Sequence, residues 1–550
     1  MTKKTKKVRD TRIERKQKRD EIVATYAELH IKLGRHVKQS DLTDEGYTKD
    51  MITHYFQSLG RLETAARSLY PACFKDIPVK SLIGPKSLSR LQGVLEKKKR
   101  FVITSAITGC EVHEGFYKSI RNYCQINDAE LLVLAQSDPA HNLNRKDLGY
   151  IDRILSKEYL ITQDTALNSN LYISTIKLGA KQIDPITGLG RIGQRNGSFI
   201  YASPKQRLKM VATANNKLPR ALMTTGAITH PDYSSTSYMS DRTAYIAEND
   251  HVIGALVVEI GDDVKYYFRQ IQADIEDNGS FIDLGVKYSE DSAIPCRAEA
   301  VVLGDWHSGE TDPTAIKAWQ ELSKVVDPKC VVIHDLFNGL SISHHEEKLK
   351  IRRAQLAAAS KLSLREEINN LAKDLDVLAG MADQVVIAKS NHDLFLERYL
   401  QDGRYIADPQ NHRLSLDLAA AMFDGIDPLS YAIEKTNLCS NLHNIRWLSE
   451  DEDFKVARIQ LGQHGHRGAN GAKGSIKSIE DAYGNSVSGH THVPQILRNA
   501  WCVGTSSLLK LYYNKGPSSW CHASCVVYPN SSRQLILSIN GDWCLDPSKK

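Results

Sequence analysis

Long apolar runs are missing from this sequence. No stretch in its 550 residues reaches the roughly 20 apolar positions that a bilayer-spanning helix needs. The charged N-terminus has no apolar segment behind it, so no secretory signal is expected. Clustered cysteine is missing too. Ten cysteines are scattered from Cys73 to Cys544, which suits free thiols in a reducing cytosol better than a disulfide framework. The one local pair, "CHASC" (Cys521 to Cys525), lies in the run "SSWCHASCVVY" and reads as a buried strand, because a zinc site needs more ligands. The chain is otherwise ordinary for a globular protein, with room for two to four domains.

Net charge is only +6, but it is unevenly spread. The first twenty residues carry ten Lys/Arg against three acids, and a second basic cluster, "EKKKR", ends at Arg100. Such runs are solvated tails or the electrostatic footprint of a nucleic-acid binder. Residues 1–19 are read as a basic arm and 20–76 as a small helical domain. In "DEIVATYAELHIKLG" the apolar positions Ile22, Tyr26, Leu29 and Leu33 have helical spacing and stop at Gly34. Ser40 and Thr48 are expected N-caps of the short helices that follow. This unit resembles the short helix-turn-helix-like DNA-binding repeat beside many homing endonucleases; a generic protein-contact module is the competing reading.

Residues 77–99 read as a linker. Residues 100–295 alternate strand-like runs ("RFVITSAITG", "AELLVLAQ", "SNLYISTIKL", "ALVVEIG") with a helix ("HEGFYKSIRNYCQI"), an α/β middle region of unassigned role. "GLGRIG" (Gly188 to Gly193) has dinucleotide-loop spacing, but it is read between two turns, and without a strand before it that reading fails.

The third region, 296–550, concentrates metal-capable side chains. "AEAVVLGDWH", "KCVVIHD", "DQVVIAKSNHD", "VARIQLGQHGH" and "SVSGHTH" are five strand-like runs. They deliver Asp305 and His307, Asp335, Asn391 with His392 and Asp393, His464, and His490 with His492. In extended backbone, residues i and i+2 share a face, which predicts side-by-side pairs at 305/307 and 490/492. Ligands of open α/β sheets gather outside the carboxyl ends of strands, so residues this far apart can converge. Two divalent ions about 4 Å apart can clamp a phosphoryl group. They need a shared carboxylate, neutral imidazoles and few acids, and mixed O and N ligands favour manganese, iron or zinc over calcium.

The order D-x-H, D-x-x-N, NHD, H and GHxH resembles the calcineurin-like metallophosphoesterases, with a site like that of the SbcD-type nucleases. The resemblance implies an α/β sandwich of two mixed sheets flanked by helices, preceded here by the helical domain. It implies two divalent metals, manganese foremost, with iron, zinc or magnesium as alternatives. Asp305, His307, Asp335 and His492 would hold one; Asp335, Asn391, His464 and His490 the other. His392 would act on the leaving oxygen and Asp393 would orient it. Departures from the family pattern are His334, Asn338 and Ser390, none of which removes a ligand. His466 is set aside in favour of His464.

Arg467 and Lys473, in "GQHGHRGANGAKG", are candidate phosphate contacts, because glycines let main-chain N–H groups approach anions. The long insert from His344 to Met381 reads as a helical hairpin packed on the sheet, with a lid or a dimer contact as the competing reading; His344 and His345 stand at its start, where the alternative is that they face the substrate. The functional expectation is a metal-dependent DNase; the alternative is a phosphatase or small-molecule phosphodiesterase with the same site. The build is also similar to siphophage first-step-transfer proteins that degrade host DNA. That likeness implies DNA as partner, a homo-oligomer, no membrane, and the host cytoplasm as location.

Overall fold

The computed structural model describes residues 12–33, 37–136, 149–178, 182–214, 218–233 and 241–545. The first eleven residues of the basic arm and the expected helix stop at Gly34 lie outside the described residues.

The N-terminal unit is helical. Helix Arg12–Leu33 turns Ile22, Val23, Tyr26 and Leu29 onto Leu42, Ile52, Phe56 and Leu62 of the helices Gln39–Asp44, Lys49–Phe56 and Leu59–Leu69. The Thr48 side chain accepts from the Met51 N–H, the N-cap expected of it. Ser40 is no cap: the Asp41 carboxylate takes the Lys38 N–H at 2.7 Å, which starts that helix earlier, at Gln39.

The stretch 77–99 is not a linker. Strand Asp76–Pro78 pairs antiparallel with Tyr150–Asp152, and Pro85–Lys97 forms a helix that buries Leu91 and rests Val94 and Leu95 on the main core. Proline at its first position costs no hydrogen bond, so "GPKSL" starts a helix rather than breaking one. The basic cluster "EKKKR" is likewise partly structural, with Lys98 paired to Asp128 and Arg100 to the buried Glu259.

Helices, a six-stranded sheet and a ten-stranded sheet form the layers that carry the site. In the six-stranded sheet, Ala300–Val302, Cys330–Ile333, Gln384–Ile387 and Ile445–Trp447 run parallel, and His522–Val527 and Arg533–Ser538 complete it antiparallel. Strand alternation divides its side chains. Val301, Val331, Ile333 and Val385 face the helices Pro313–Val326 and Leu364–Ala379, whereas Val302, Cys330, Val332 and Val386 face the core toward the second sheet. Across that core lie Val487, Ile496 and Trp501 from the C-terminal region, with Leu208, Met210 and Met223 from the middle region.

Middle and C-terminal regions therefore share one sheet. Arg207–Val211 pairs antiparallel with Gln495–Leu497, placing Leu208 opposite Ile496. A separate five-stranded sheet, built around Arg100–Ile107, Glu130–Gln136 and Gly254–Ile260, turns Phe101, Ile103 and Leu256 into the same core. "GLGRIG" enters a short helix, Gly190–Asn196, and not a second turn; the described residues 182–189 leading into it form no strand. Among the described residues, no helix is long and apolar enough to cross a membrane.

Candidate metal centre

Each candidate ligand follows the carboxyl end of a strand. Asp305 and His307 follow Ala300–Val302, Asp335 follows Cys330–Ile333, and Asn391 follows Gln384–Ile387, three parallel neighbours in the six-stranded sheet. His464 follows Ile459–Gln460, and His490 and His492 follow Ser486–Ser488, parallel neighbours in the other sheet. The site sits where these strand ends of the two layers meet.

There the donor atoms form two sets. One atom each of Asp305, His307, Asp335 and His492 lies within 4.8 Å of the others, and the same holds for Asp335, His464 and His490. Asp335 belongs to both. The Nε2 atoms of His307 and His492 are 3.0 Å apart, and His492 Nε2 is 3.1 Å from Asp305 Oδ2. In the second set His464 Nε2 is 3.2 Å from Asp335 Oδ2 and 3.0 Å from Asn391 Oδ1. Electron-pair donors converging in this way suit a divalent cation in each set.

The ligands are not presented by extended backbone, contrary to the i, i+2 expectation. His307, Asp335, His490 and His492 have φ of 51°, 44°, 73° and 56°, all left-handed. Each such residue costs on the order of 1–3 kcal/mol, a strain that the surrounding fold must hold. The turns send His490 and His492 to different sets. Gly489 is required by the same packing, because a Cβ there would stand 2.2 Å from Asp305 Oδ1. That oxygen instead accepts the His490 N–H at 3.1 Å. Asp374 anchors the D-W-H turn from behind, accepting from Trp306 Nε1 at 3.0 Å and Ser308 Oγ at 2.6 Å.

Burial keeps His307 and His490 neutral, pushing them down to about 3 and about 4, with the neighbouring histidines adding to the effect. Neutral imidazole is the form that binds metal. Burial alone would raise the Asp335 carboxyl, but the charges on His464 and His392 outweigh it and hold it well below the ordinary range. His464 shows the reverse: burial opposes its charge, yet Asp335 and Asp305 raise it to about 9. His334, which sequence reasoning noted only as a departure, is fully buried with its ring centroid 5.6 Å from that of His464, and burial lowers it to about 4.

His392 stands at the rim, its ring centroid 4.6 Å from that of His307, and its backbone N–H donates to Asp335 Oδ1 at 3.4 Å. Its Nδ1 donates to the Asn338 carbonyl at 2.8 Å. Asp393 does not orient it, which corrects the expectation. The Asp393 carboxylate turns inward to accept from the Ser390 N–H and Oγ (3.0 and 2.8 Å) and the Phe337 N–H (3.3 Å). Burial, then the charge on Asp335, raises it to about 6. It ties two ligand-bearing loops together.

Arg467 and Lys473 are not brought into the ligand sets. Arg467 pairs with Glu450 at 2.8 Å, the carboxylate that also lies 3.2 Å from His466 Nε2, and Lys473 is exposed. Beside the centre lies a cleft of about 950 Å³ that His392 and Asn391 share with His344, His345, Arg352, Tyr512 and Tyr513. The hairpin supplies one side of it: Leu364–Ala379 is core, while the shorter helices His344–Glu347 and Lys350–Ala358 reach the cleft.

The chain is similar to Protein A1 of Escherichia phage T5, 28% identical over 477 residues, which is 82% of this chain and 84% of that protein. No family model matches the chain, and no solved structure matches it.

Proposed function

We propose that the protein is a divalent-metal-dependent DNase with a calcineurin-like metallophosphoesterase centre. The observation that carries this reading is one buried carboxylate, Asp335, common to two sets of metal-capable side chains. Asp305, His307, Asp335 and His492 would hold one ion, and Asp335, Asn391, His464 and His490 the other; manganese suits this mixed donor set. Ions so bound supply Lewis-acid polarisation of a phosphoester and a nucleophilic water at neutral pH.

The chain's own residues do the rest. The turns at 305–307 and 490–492 fix the ligands before substrate arrives. Hydrogen bonding to Asn338 leaves His392 Nε2 as the ring atom available to the cleft. From there it would protonate the departing oxygen of the broken phosphoester. The basic start of the chain supports DNA as the substrate, and similarity to a protein of phage T5 supports a phage setting. Degradation of host DNA in the infected cell's cytoplasm, by a homo-oligomer, is the biology proposed.

The test is purified protein on duplex DNA and on a small aryl phosphodiester, each with manganese and with chelator. Manganese-dependent DNA cleavage is expected. Hydrolysis of the aryl ester with DNA left whole would replace the DNase by a small-molecule phosphodiesterase.

A further inference from the structure

An aromatic ladder leads out of the metal centre into the cleft. The Trp520 ring lies 4.1 Å, centroid to centroid, from the ring of the ligand candidate His492. Tyr513 follows at 6.0 Å from Trp520, and Tyr512 at 5.3 Å from Tyr513. The Arg352 guanidinium closes the series 4.4 Å over the Tyr512 ring. On the other side of the cleft, His392 meets Phe395 at 4.7 Å, and Phe395 meets His344 at 5.3 Å.

Phe395 and His492 are buried, but the outer rings of the ladder are not core. Tyr512 and Tyr513 are 36% and 53% exposed, and both line the cleft. A hydrolase for a small phosphomonoester has no use for exposed rings stepping away from its reacting centre. The cationic side chains lining the cleft, Arg352, Lys361, Arg398 and Lys510, outnumber the acidic Glu310 and Glu346. Flat apolar faces beside positive charge match a strand whose bases are free to stack and whose phosphates carry the negative charge. Paired bases in a duplex are stacked on both faces already and offer none to a side chain.

We propose that this cleft binds an unpaired DNA strand, with bases stacked on Tyr512 and Tyr513 and the backbone led past His392 to the metal centre. The proposal rests on the DNase reading and names the form of DNA that the centre receives. A duplex end or nick would then have to open before its phosphodiester reaches Asp335.

Binding is measured in chelator, so that no cleavage occurs, by fluorescence anisotropy of the full-length protein. The probes are a labelled oligothymidylate, an abasic deoxyribose-phosphate strand of the same length, and a blunt duplex. The oligothymidylate is expected to bind at least tenfold more tightly than the abasic strand. Tyr512→Ala with Tyr513→Ala is expected to weaken its binding by roughly thirtyfold or more, since each of the two stacked bases is usually worth about five- to a hundredfold. The paired Phe variant should retain binding, since it keeps both rings. Equal binding of the oligothymidylate and the abasic strand by the wild type overturns the proposal, as does preference for the blunt duplex. The wild-type comparison holds even if the alanine variant misfolds. Absence of manganese-dependent DNA cleavage would remove the DNase reading, whereas base-independent binding by a protein that cuts DNA would remove this one alone.

Discussion

His307 and His492 are 185 positions apart in the chain, yet their Nε2 atoms lie 3.0 Å from each other. At that distance one ring nitrogen can donate its proton to the other, and both can equally face one cation. Asp305 and Asp335 complete the same set, and Asp335 extends it to His464 and His490. The fold spends backbone strain at four of these residues to keep the arrangement in place.

Asp335 should control both ions. By equilibrium dialysis, the wild type is expected to bind two manganese ions per chain and His490→Ala one. Asp335→Ala should bind neither tightly. Two tight ions in Asp335→Ala would show that the carboxylate is not shared.

Gly489 should tolerate no side chain. Gly489→Ala puts a carbon 2.2 Å from Asp305 Oδ1, so the carboxylate must move. Manganese affinity is expected to fall roughly 10- to 100-fold, the usual cost of disturbing the support of a metal ligand. Unchanged affinity in a calorimetric titration would mean that the Asp305 position is not held by this contact.

A buried charge network away from the site should carry stability. Arg269 is 2% exposed and pairs with Asp283 and Glu259, while Asp283 also accepts from Gln534 at 2.9 Å, joining the middle region to the last strand of the six-stranded sheet. Asp283→Ala leaves that guanidinium short of a counter-charge, at an expected cost of about 3–5 kcal/mol. Urea unfolding checks it, and a loss under 1 kcal/mol would contradict it.

The ligand set is readable in the sequence because each member closes an apolar run, and runs of that kind become parallel strands whose ends converge. Its backbone is not readable: nothing in "GHTH" announces two left-handed residues. The helix in 77–99 is hidden by "GPKSLS", whose proline and glycine suggest a loop although Leu88, Leu91 and Leu95 keep helical spacing. The partnership of Asp393 with Ser390 and Phe337 depends on a loop fifty-six positions away, and no local pattern reports it. The sheet shared by 207–211 and 495–497 is equally silent, because a pairing across most of the chain leaves no mark on either strand. The aromatic ladder has no repeat, so only the fold assembles it.

Whether this centre cuts DNA is decided by one comparison. Closed circular DNA is incubated with wild type and with His392→Ala, in manganese and in chelator, after dialysis has shown that both proteins hold two ions. The wild type should nick or cut in manganese alone, and His392→Ala should be slower by roughly 10²–10⁴-fold, the contribution expected of a proton-transfer group. Cutting by His392→Ala at the wild-type rate, or by the wild type equally in chelator, would contradict the account.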